Sequence, residues 1–532
     1  MQTVSQSWKK AHEQTLLNES YVEVSLDIAD PEASNDASST DNGAVYISDT
    51  SEVVSEIDTP TQPYGTLEQN MWVLNGTRKS IPDSNYADGG YVGDVLSNAE
   101  GVFDTKVPIV EIQFTKVHTN LIPGLTISWG TAYNEYPEHF IVTVYNGDTV
   151  VAEKEILDNK SVTSIVKLDI SNYDRITIQI LRWCLPNHRA RIDEIFIGWH
   201  QRYSKTELLS YSHKQSVNPI TTSLPKMEVK FSIDNSDGSY NPYNISGLTK
   251  YLLERQEVKT RYGLKLNGNT IEWIDGGVFY LSEWYAKQNG ISADFVARDL
   301  LEFMSAHYKD VVSSITERSL YDLATQVLQA AGLLLNKDGT VKWVIDDSLK
   351  SIYTKAPLPD DTIANCLQLI ANLGCCTLYP DRKGILHITP INNDSTDYAI
   401  SKFNSYTKSE LTITKSVKQV VVKVYQYSIN EKGGIDSTTT EVTTNVSDVG
   451  EVIVVDNPLV TDSERASILG EWIGNYLKNR MTLKSTWRAD VRLDGFDIVQ
   501  NENDYNSNTV RMTDVEYKFN GAFRGTGEGR VI

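Results

Sequence analysis

The sequence predicts a mainly β protein with small α+β parts, and three observations carry that reading. Short runs that alternate apolar and polar residues recur along most of the chain, punctuated by Gly, Pro, Asn and Asp. The 28 tyrosines and 10 tryptophans accompany many Val, Ile and Thr residues, the side chains that suit a half-buried pleated surface. The apolar period lengthens to helical spacing in only a few segments. At 532 residues the chain exceeds one hydrophobic core and divides into about three to five units.

The elements follow in order. YVEVSLDIA (21–29) alternates as a half-buried strand, and DPEASNDASSTDNG after it reads as a long surface loop of turn formers. From about 60 to 200, the runs VEIQFTKV, LTISW, HFIVTVYN, DTVVAEKEI, SIVKLDI, RITIQILRW and RIDEIFIG have the spacing of a β-sandwich. KMEVKFSID, EVKTRYGLKL, GGVFYLSEWYA and ISADFVARDLLEFM form a second β-rich stretch. SLYDLATQVLQAAG (319–332) then puts Leu320, Leu323, Val327, Leu328 and Ala331 on one helical face, with Ser319 as N-cap and Gly332 as stop. DTIANCLQLIANLG (361–374) repeats this with Ile363, Leu367, Ile370 and Leu373, ending at Gly374. CCTLY and ILHIT flank PDRKG, where Gly384 supplies the positive φ of a hairpin. Two helices on a hairpin make a small α+β unit. In the last part, TDSERASILGEWIGNYLKNR opens on a capping box from Thr461 to Glu464 and buries Ile468, Leu469, Trp472, Ile473, Tyr476 and Leu477 among returning strands.

Charge and composition exclude several classes. A net charge of −21 with no visible basic patch argues against sequence-specific nucleic-acid binding. Residues 11–77 contain no Lys or Arg, which reads as a solvated acidic loop, with a calcium-binding or DNA-repelling surface as alternatives. No run reaches the roughly 20 apolar residues of a membrane span, and the N-terminus lacks an apolar signal core, so neither membrane insertion nor secretion by that route is expected. Four cysteines in so long a chain suggest reduced thiols rather than a disulfide framework.

Catalytic patterns are weak. The eight histidines form no HExxH, no helical pair and no GxSxG neighbour. Cys366, Cys375, Cys376 and His387 make a poor zinc set, because adjacent Cys375 and Cys376 point to opposite faces of a strand. DNSDGSYNPYN (234–244) resembles a calcium loop, but with Gly238 in the sixth position the first ligand falls on Ile233, so it reads as a cluster of turns. Asp193 and Glu194 are neighbours in a strand and cannot both face one cleft, which gives a glycosidase little support. No metal or cofactor is expected. The closing FNGAFRGTGEGRVI (519–532) suggests a phosphate loop through Gly525, Gly527 and Gly529, yet no helix follows to complete one. The candidate ligand residues are aromatic: Trp129, Tyr133 and Tyr136 in SWGTAYNEYPEHF, together with Trp183, could stack on sugar faces. The competing reading makes Trp129 and Trp183 core anchors of the two sheets.

The segments LPKMEVKFSIDNSDGSYNPYN, GGVFYLSEW with ADFVARDLLEFM, ANLGCCTLYPDRKGILHI and VEYKFNGAFRGTGEGRVI resemble the baseplate-hub or tail-tip proteins of phages of Gram-positive hosts, a group that includes the N-terminal part of tail-associated lysins. The resemblance covers roughly 200–532 and extends to the first 60 residues. It implies a homotrimeric ring in the virion, assembled in the host cytoplasm, whose β-barrel domains continue the tail tube and whose partners are tube, distal tail or baseplate proteins. It further implies residues 1–60 plus 200–310 as a first hub barrel, 311–395 as the small two-helix and hairpin domain, and 396–532 as a second hub barrel with one helix. Residues 61–199 look like a galactose-binding-type jelly roll inserted in the first barrel, a module able to contact host cell-wall polysaccharide. The glycine-rich end resembles the terminus of such proteins, where a strand leaves the barrel, rather than a nucleotide site. The expected role is structural, without catalysis of its own, and no lysin domain follows residue 532. The alternatives are a cell-wall glycoside hydrolase with an accessory sugar-binding module, or an adhesin.

Overall fold

A computed structural model describes the chain except residues 15–17, 55–64, 67, 70, 72–74, 76–87, 267–269, 288–289, 309–314 and 333–340. The expected boundaries at 60/61 and 310/311 lie outside the described residues. Strands dominate and six α-helices stand among the described residues, so the mainly β class with small helical parts holds. The chain divides into two compact units: Ser25–Arg202 with Pro242–Glu257, and Met1–Val24 with Tyr203–Asn241 and Val258–Ile532.

The unit built on Ser25–Arg202 has two antiparallel sheets. One runs Thr163–Ile170, Ile122–Trp129, Arg189–Phe196, Tyr91–Leu96. The other runs Ser38–Asp41, Ile109–His118, Tyr173–Trp183, Pro137–Asn146, Thr149–Ile156. Their alternate side chains, among them Ile112, Val142, Ile178, Leu125 and Ile127, are buried in one core, the arrangement of a sandwich.

The stretch from Asp30 is not the long loop its turn formers suggest. Asp30 caps a short helix, Pro31–Asp36, by accepting from the Glu32 N–H at 3.0 Å, and Pro31 brings the preset φ that suits a first helical position. Ser38–Asp41 then pairs with Ile109–His118, and the Asp36 carboxylate accepts from Thr115 at 2.9 Å. Here the small polar residues cap and pair instead of looping.

In the other unit, one long antiparallel run proceeds Ile271–Ala286, Ser292–Arg298, Lys226–Asp234, Leu208–Ser216, Ser507–Phe519, Phe523–Val531, Met481–Arg488, Glu410–Ile413. Ile498–Glu502 branches from Ser507–Phe519 and pairs in parallel with Ser395–Ile400. The β-rich stretches before and after the helical segments therefore share one ladder, with Tyr211 opposite Phe519 and Ser216 opposite Asp514.

The helical segments form as their spacing predicts. Leu320–Ala331 starts at Ser319, whose hydroxyl accepts from the Asp322 N–H, and stops at Gly332 with φ 66°. Ile363–Leu373 starts at Thr362, but the left-handed residue after it is Cys375 at φ 54°, not Gly374. The hairpin Cys376–Pro380 with Leu386–Pro390 turns at Gly384, φ 78°, and gains an unanticipated third strand, Trp343–Ile345, in parallel. Leu323, Val327, Leu367, Ile370, Leu378 and Ile388 close this core. The helix Ser463–Lys478 is capped by Asp462 rather than Thr461, because the Thr461 hydroxyl is taken by the Lys355 N–H at 3.1 Å. Its buried face is Ala466, Leu469, Gly470, Ile473 and Gly474, set against the sheet Ile435–Asn445, Val417–Ile429, Glu451–Val455. Ile468, expected inside, is 45% exposed. An N-terminal helix, Gln6–Glu13, was not anticipated; Ser5 caps it and Trp8 is buried.

Candidate functional site

Gly130–Tyr136 links two strands of the sandwich and holds one short 3-10 turn, Thr131–Tyr133, closed by Asn134 at φ 56°. Of the four candidate stacking rings, two lie in the core. Trp129 is 0% exposed, donates its indole N–H to Ser164 Oγ at 2.8 Å and meets Phe140 edge-on. Trp183 is 1% exposed and donates to Glu135 at 2.9 Å. Both end strands whose inward alternation continues to the last residue, and buried acceptors satisfy both indoles, so neither ring offers a face to a sugar. Tyr136 is half-buried against the same core, and Tyr133 is half-buried with the Arg191 guanidinium 4.7 Å from its ring.

Beneath this loop lies a polar cluster that the sequence did not signal. Arg191 forks onto both oxygens of Glu68 at 2.5 and 3.0 Å, and Glu135 accepts from Trp183 and lies 3.0 Å from His188 Nδ1. Burial works against the charge of Glu68, but Arg191 outweighs it and holds the carboxyl below its ordinary range. Burial likewise pulls His188 down, and its bond to Glu135 reverses the direction to a net rise. Two carboxylates thus face two cationic partners, the balance of a structural brace. Asp193 accepts from the Thr131 N–H at 2.7 Å, and burial pushes its carboxyl up.

In the other unit a cavity of about 380 Å³ is lined by His213, Gln215, Asp299, Arg382, His387 and Asp494, among others. Arg382, at the tip of the hairpin loop, donates to Asp494 at 2.8 Å and to the carbonyls of Asp275 and Val491 at 2.8 and 2.7 Å. Burial opposes the Asp494 charge, yet Arg382 keeps that carboxyl below its usual range. His213 Nδ1 lies 2.7 Å from the Tyr262 hydroxyl, and burial pushes the imidazole down to about 3, so it is neutral at physiological pH. Asp299 caps the turn Leu300–Phe303 and also accepts from the Met227 N–H at 2.7 Å; burial raises it to about 7. These groups hold backbone in place. They come from segments more than a hundred residues apart, which is why no motif announces them.

The glycines at the chain's end sit within a sheet, not around an anion. Phe523–Val531 lies between Ser507–Phe519 and Met481–Arg488, and a Cβ on Gly525 would come within 2.8 Å of the buried Trp487 ring. One on Gly527 would come within 2.7 Å of the Asp514 carbonyl. The alternation makes room for a ring and a neighbouring backbone. Asp234–Asn244 is a set of turns, with Asp234 and Asp237 each accepting from the N–H two residues on at 2.9 Å. Cys366 and Cys376 are buried, with their thiols directed at carbonyls, and Cys375 Sγ lies 3.3 Å from Arg465. Among the described residues no three His, Cys, Asp or Glu side chains converge on a metal position, and no helix is long and apolar enough to cross a membrane.

No protein-family model matches the chain, and no curated protein matches it. Solved structures do. The 43 kDa tail protein of prophage MuSo2 from Shewanella oneidensis matches 62% of this chain and 95% of its own at 10% identity, with a TM-score of 0.40. A tail protein from Neisseria meningitidis MC58 matches 63% of this chain and 94% of its own at 10% identity and a TM-score of 0.40. Prophage tail protein gp18 from Listeria monocytogenes EGD-e matches 62% and 91% at 11% identity and 0.38. All three are described as tail proteins.

Proposed function

We propose that the chain is a structural protein of a phage tail tip, a baseplate-hub component that joins the tail tube to the tip as a homotrimer and has no catalysis of its own. The observation that carries this reading is the shared ladder: two β-rich stretches nearly 300 residues apart build one continuous sheet through Leu208–Ser216 and Ser507–Phe519, with the helical segments as an excursion between them. Such a sheet is a frame, and its polar interior is committed to bracing backbone. The segments that resemble hub proteins, from LPKMEVKFSID to the glycine-rich end, supply the strands of this frame. On this reading the acidic surface keeps exiting DNA from adhering, since each basic contact adds a salt-dependent hold.

The test is assembly and digestion together. Particles labelled at residue 532 and imaged at low resolution place the label at the tail tip, and the purified protein sediments as a trimer and releases neither reducing sugar nor peptide from host walls. Label elsewhere on the particle, or wall digestion, overturns the proposal.

The sandwich is proposed as a contact module for host-wall polysaccharide, with Tyr133 and Tyr136 as its remaining stacking rings. Alanine at either weakens wall binding by about fivefold, on the order of 1 kcal/mol per ring. Unchanged wall binding by both variants makes the sandwich a spacer or a surface for neighbouring tail proteins.

A further inference from the structure

Glu410–Ile413 ends the long sheet: it pairs with Met481–Arg488 on one side and with no strand on the other. Its direction of hydrogen bonding follows from its neighbours. The Thr414 N–H donates to the Arg480 carbonyl at 2.8 Å, so Thr414 faces inward along the backbone. Antiparallel pairing alternates inward and outward, so Thr412 and Glu410 also bond toward Met481–Arg488, and the N–H and C=O groups of Leu411 and Ile413 point out of the sheet. The same two residues carry exposed apolar side chains, Leu411 at 51% and Ile413 at 63%. No proline or bulge interrupts this edge, the devices that commonly blunt one.

We propose that this edge is a contact between two copies of the chain, joined antiparallel about a twofold axis at Thr412. The register follows from the alternation. With Thr412 opposite Thr412, outward-facing Leu411 meets outward-facing Ile413 of the second copy, and the reciprocal pair does the same, which completes both hydrogen-bonded pairs. Leu411 and Ile413 share one face, so the two copies bring four apolar side chains together on that face. Glu410 meets Thr414, so no charge opposes its like. A slip by one residue sets outward backbone against inward backbone and loses the hydrogen bonds. The edge therefore fits its own copy in one central register. The contact is independent of the proposed ring: if the chain is trimeric, it joins two rings, and if it is not, it joins two chains.

A disulfide placed on the axis tests it. Directly opposite residues at a non-hydrogen-bonded position bring their Cβ atoms to about 4.5–5.5 Å, so full-length Thr412→Cys, in a Cys184→Ser and Cys375→Ser background, forms a reducible species of twice the chain mass under mild oxidation. Leu411→Lys with Ile413→Lys, added to Thr412→Cys, abolishes that species and halves the sedimenting mass of the unoxidised protein at about 0.1 mM. The changed side chains are exposed, and an unchanged melting temperature verifies the fold. Absence of the doubled species overturns the proposal, and so does a doubled species that survives the lysines, because then the cysteine links by chance collision. Failure of the trimer reading leaves this outcome untouched, since the cross-link reports one edge and not the number of chains.

Discussion

Gly527 sits in a strand with both neighbours in place, where a side chain has nowhere to go. A Cβ there meets the Met512 side chain and the Asp514 carbonyl at 2.6 and 2.7 Å, and the carbonyl belongs to a paired strand that cannot shift cheaply. Gly527→Val therefore costs about 1–3 kcal/mol of stability, measured by urea denaturation, while Gly521→Ala at the adjoining hairpin, with open space around it, costs less despite its φ of 79°. Asp299 makes a second prediction. Its folded-state value of about 7 lies above the roughly 3.9 of an unfolded aspartate, so the folded state holds its proton more tightly. Stability from this group is fully present below about pH 4 and is lost as pH rises through about 7. Melting temperature should fall over that window in the parent, and Asp299→Asn should flatten the fall; an identical slope in both removes Asp299 as its source. At this scale the sequence shows which residue types are present but not their surroundings. The tryptophans at 129 and 183 read equally as ligand platform or core, and only their positions at inward strand ends decide for the core.

At the scale of elements, helices were legible where period and caps agree, as at Ser319, Thr362 and Gly332. They were misread where two capping residues stand side by side. Thr461 and Asp462 both suit an N-cap, and the choice falls to Asp462 because a distant backbone N–H, that of Lys355, claims Thr461. Asp462→Ala should cost about 1 kcal/mol, while Thr461→Ala should disturb the Lys355 contact and leave helix content in the isolated far-ultraviolet signal nearly unchanged. Equal loss of helix in both variants counts against this assignment. The helix Gln6–Glu13 and the strand Trp343–Ile345 escaped the sequence for another reason. Eight and three residues give too few periods to register, and tertiary packing of Trp8 and pairing with Leu386–Pro390 supply what local pattern does not.

For the molecule as a whole, the β-rich class was visible in alternation and composition, whereas the joining of distant stretches was not, because strand pairing leaves no mark on spacing. Arg382 shows what such joining rests on. Its guanidinium ties the hairpin tip to Asp494 and to the Val491 and Leu493 carbonyls, about 110 residues away along the chain. Arg382→Ala leaves a buried carboxylate and several carbonyls without their donor, and should cost about 3–5 kcal/mol, whereas Arg382→Lys restores the charge but not the fork and recovers only part of it. Full recovery by lysine shows that charge alone suffices.

The ladder between Leu208–Ser216 and Ser507–Phe519 also sets the tempo at which the molecule can form. Ser216 bonds to Asp514, 298 positions away. Closing a loop of that length costs about 4 kcal/mol more in chain entropy than closing a five-residue turn, on a logarithmic scale. The helical segments, whose contacts are short in sequence, can fold early and draw the two arms together, and the long-range ladder comes late. Until it does, each arm waits with a bare strand edge in solution, and the refolding yield of the isolated chain should fall as its concentration rises.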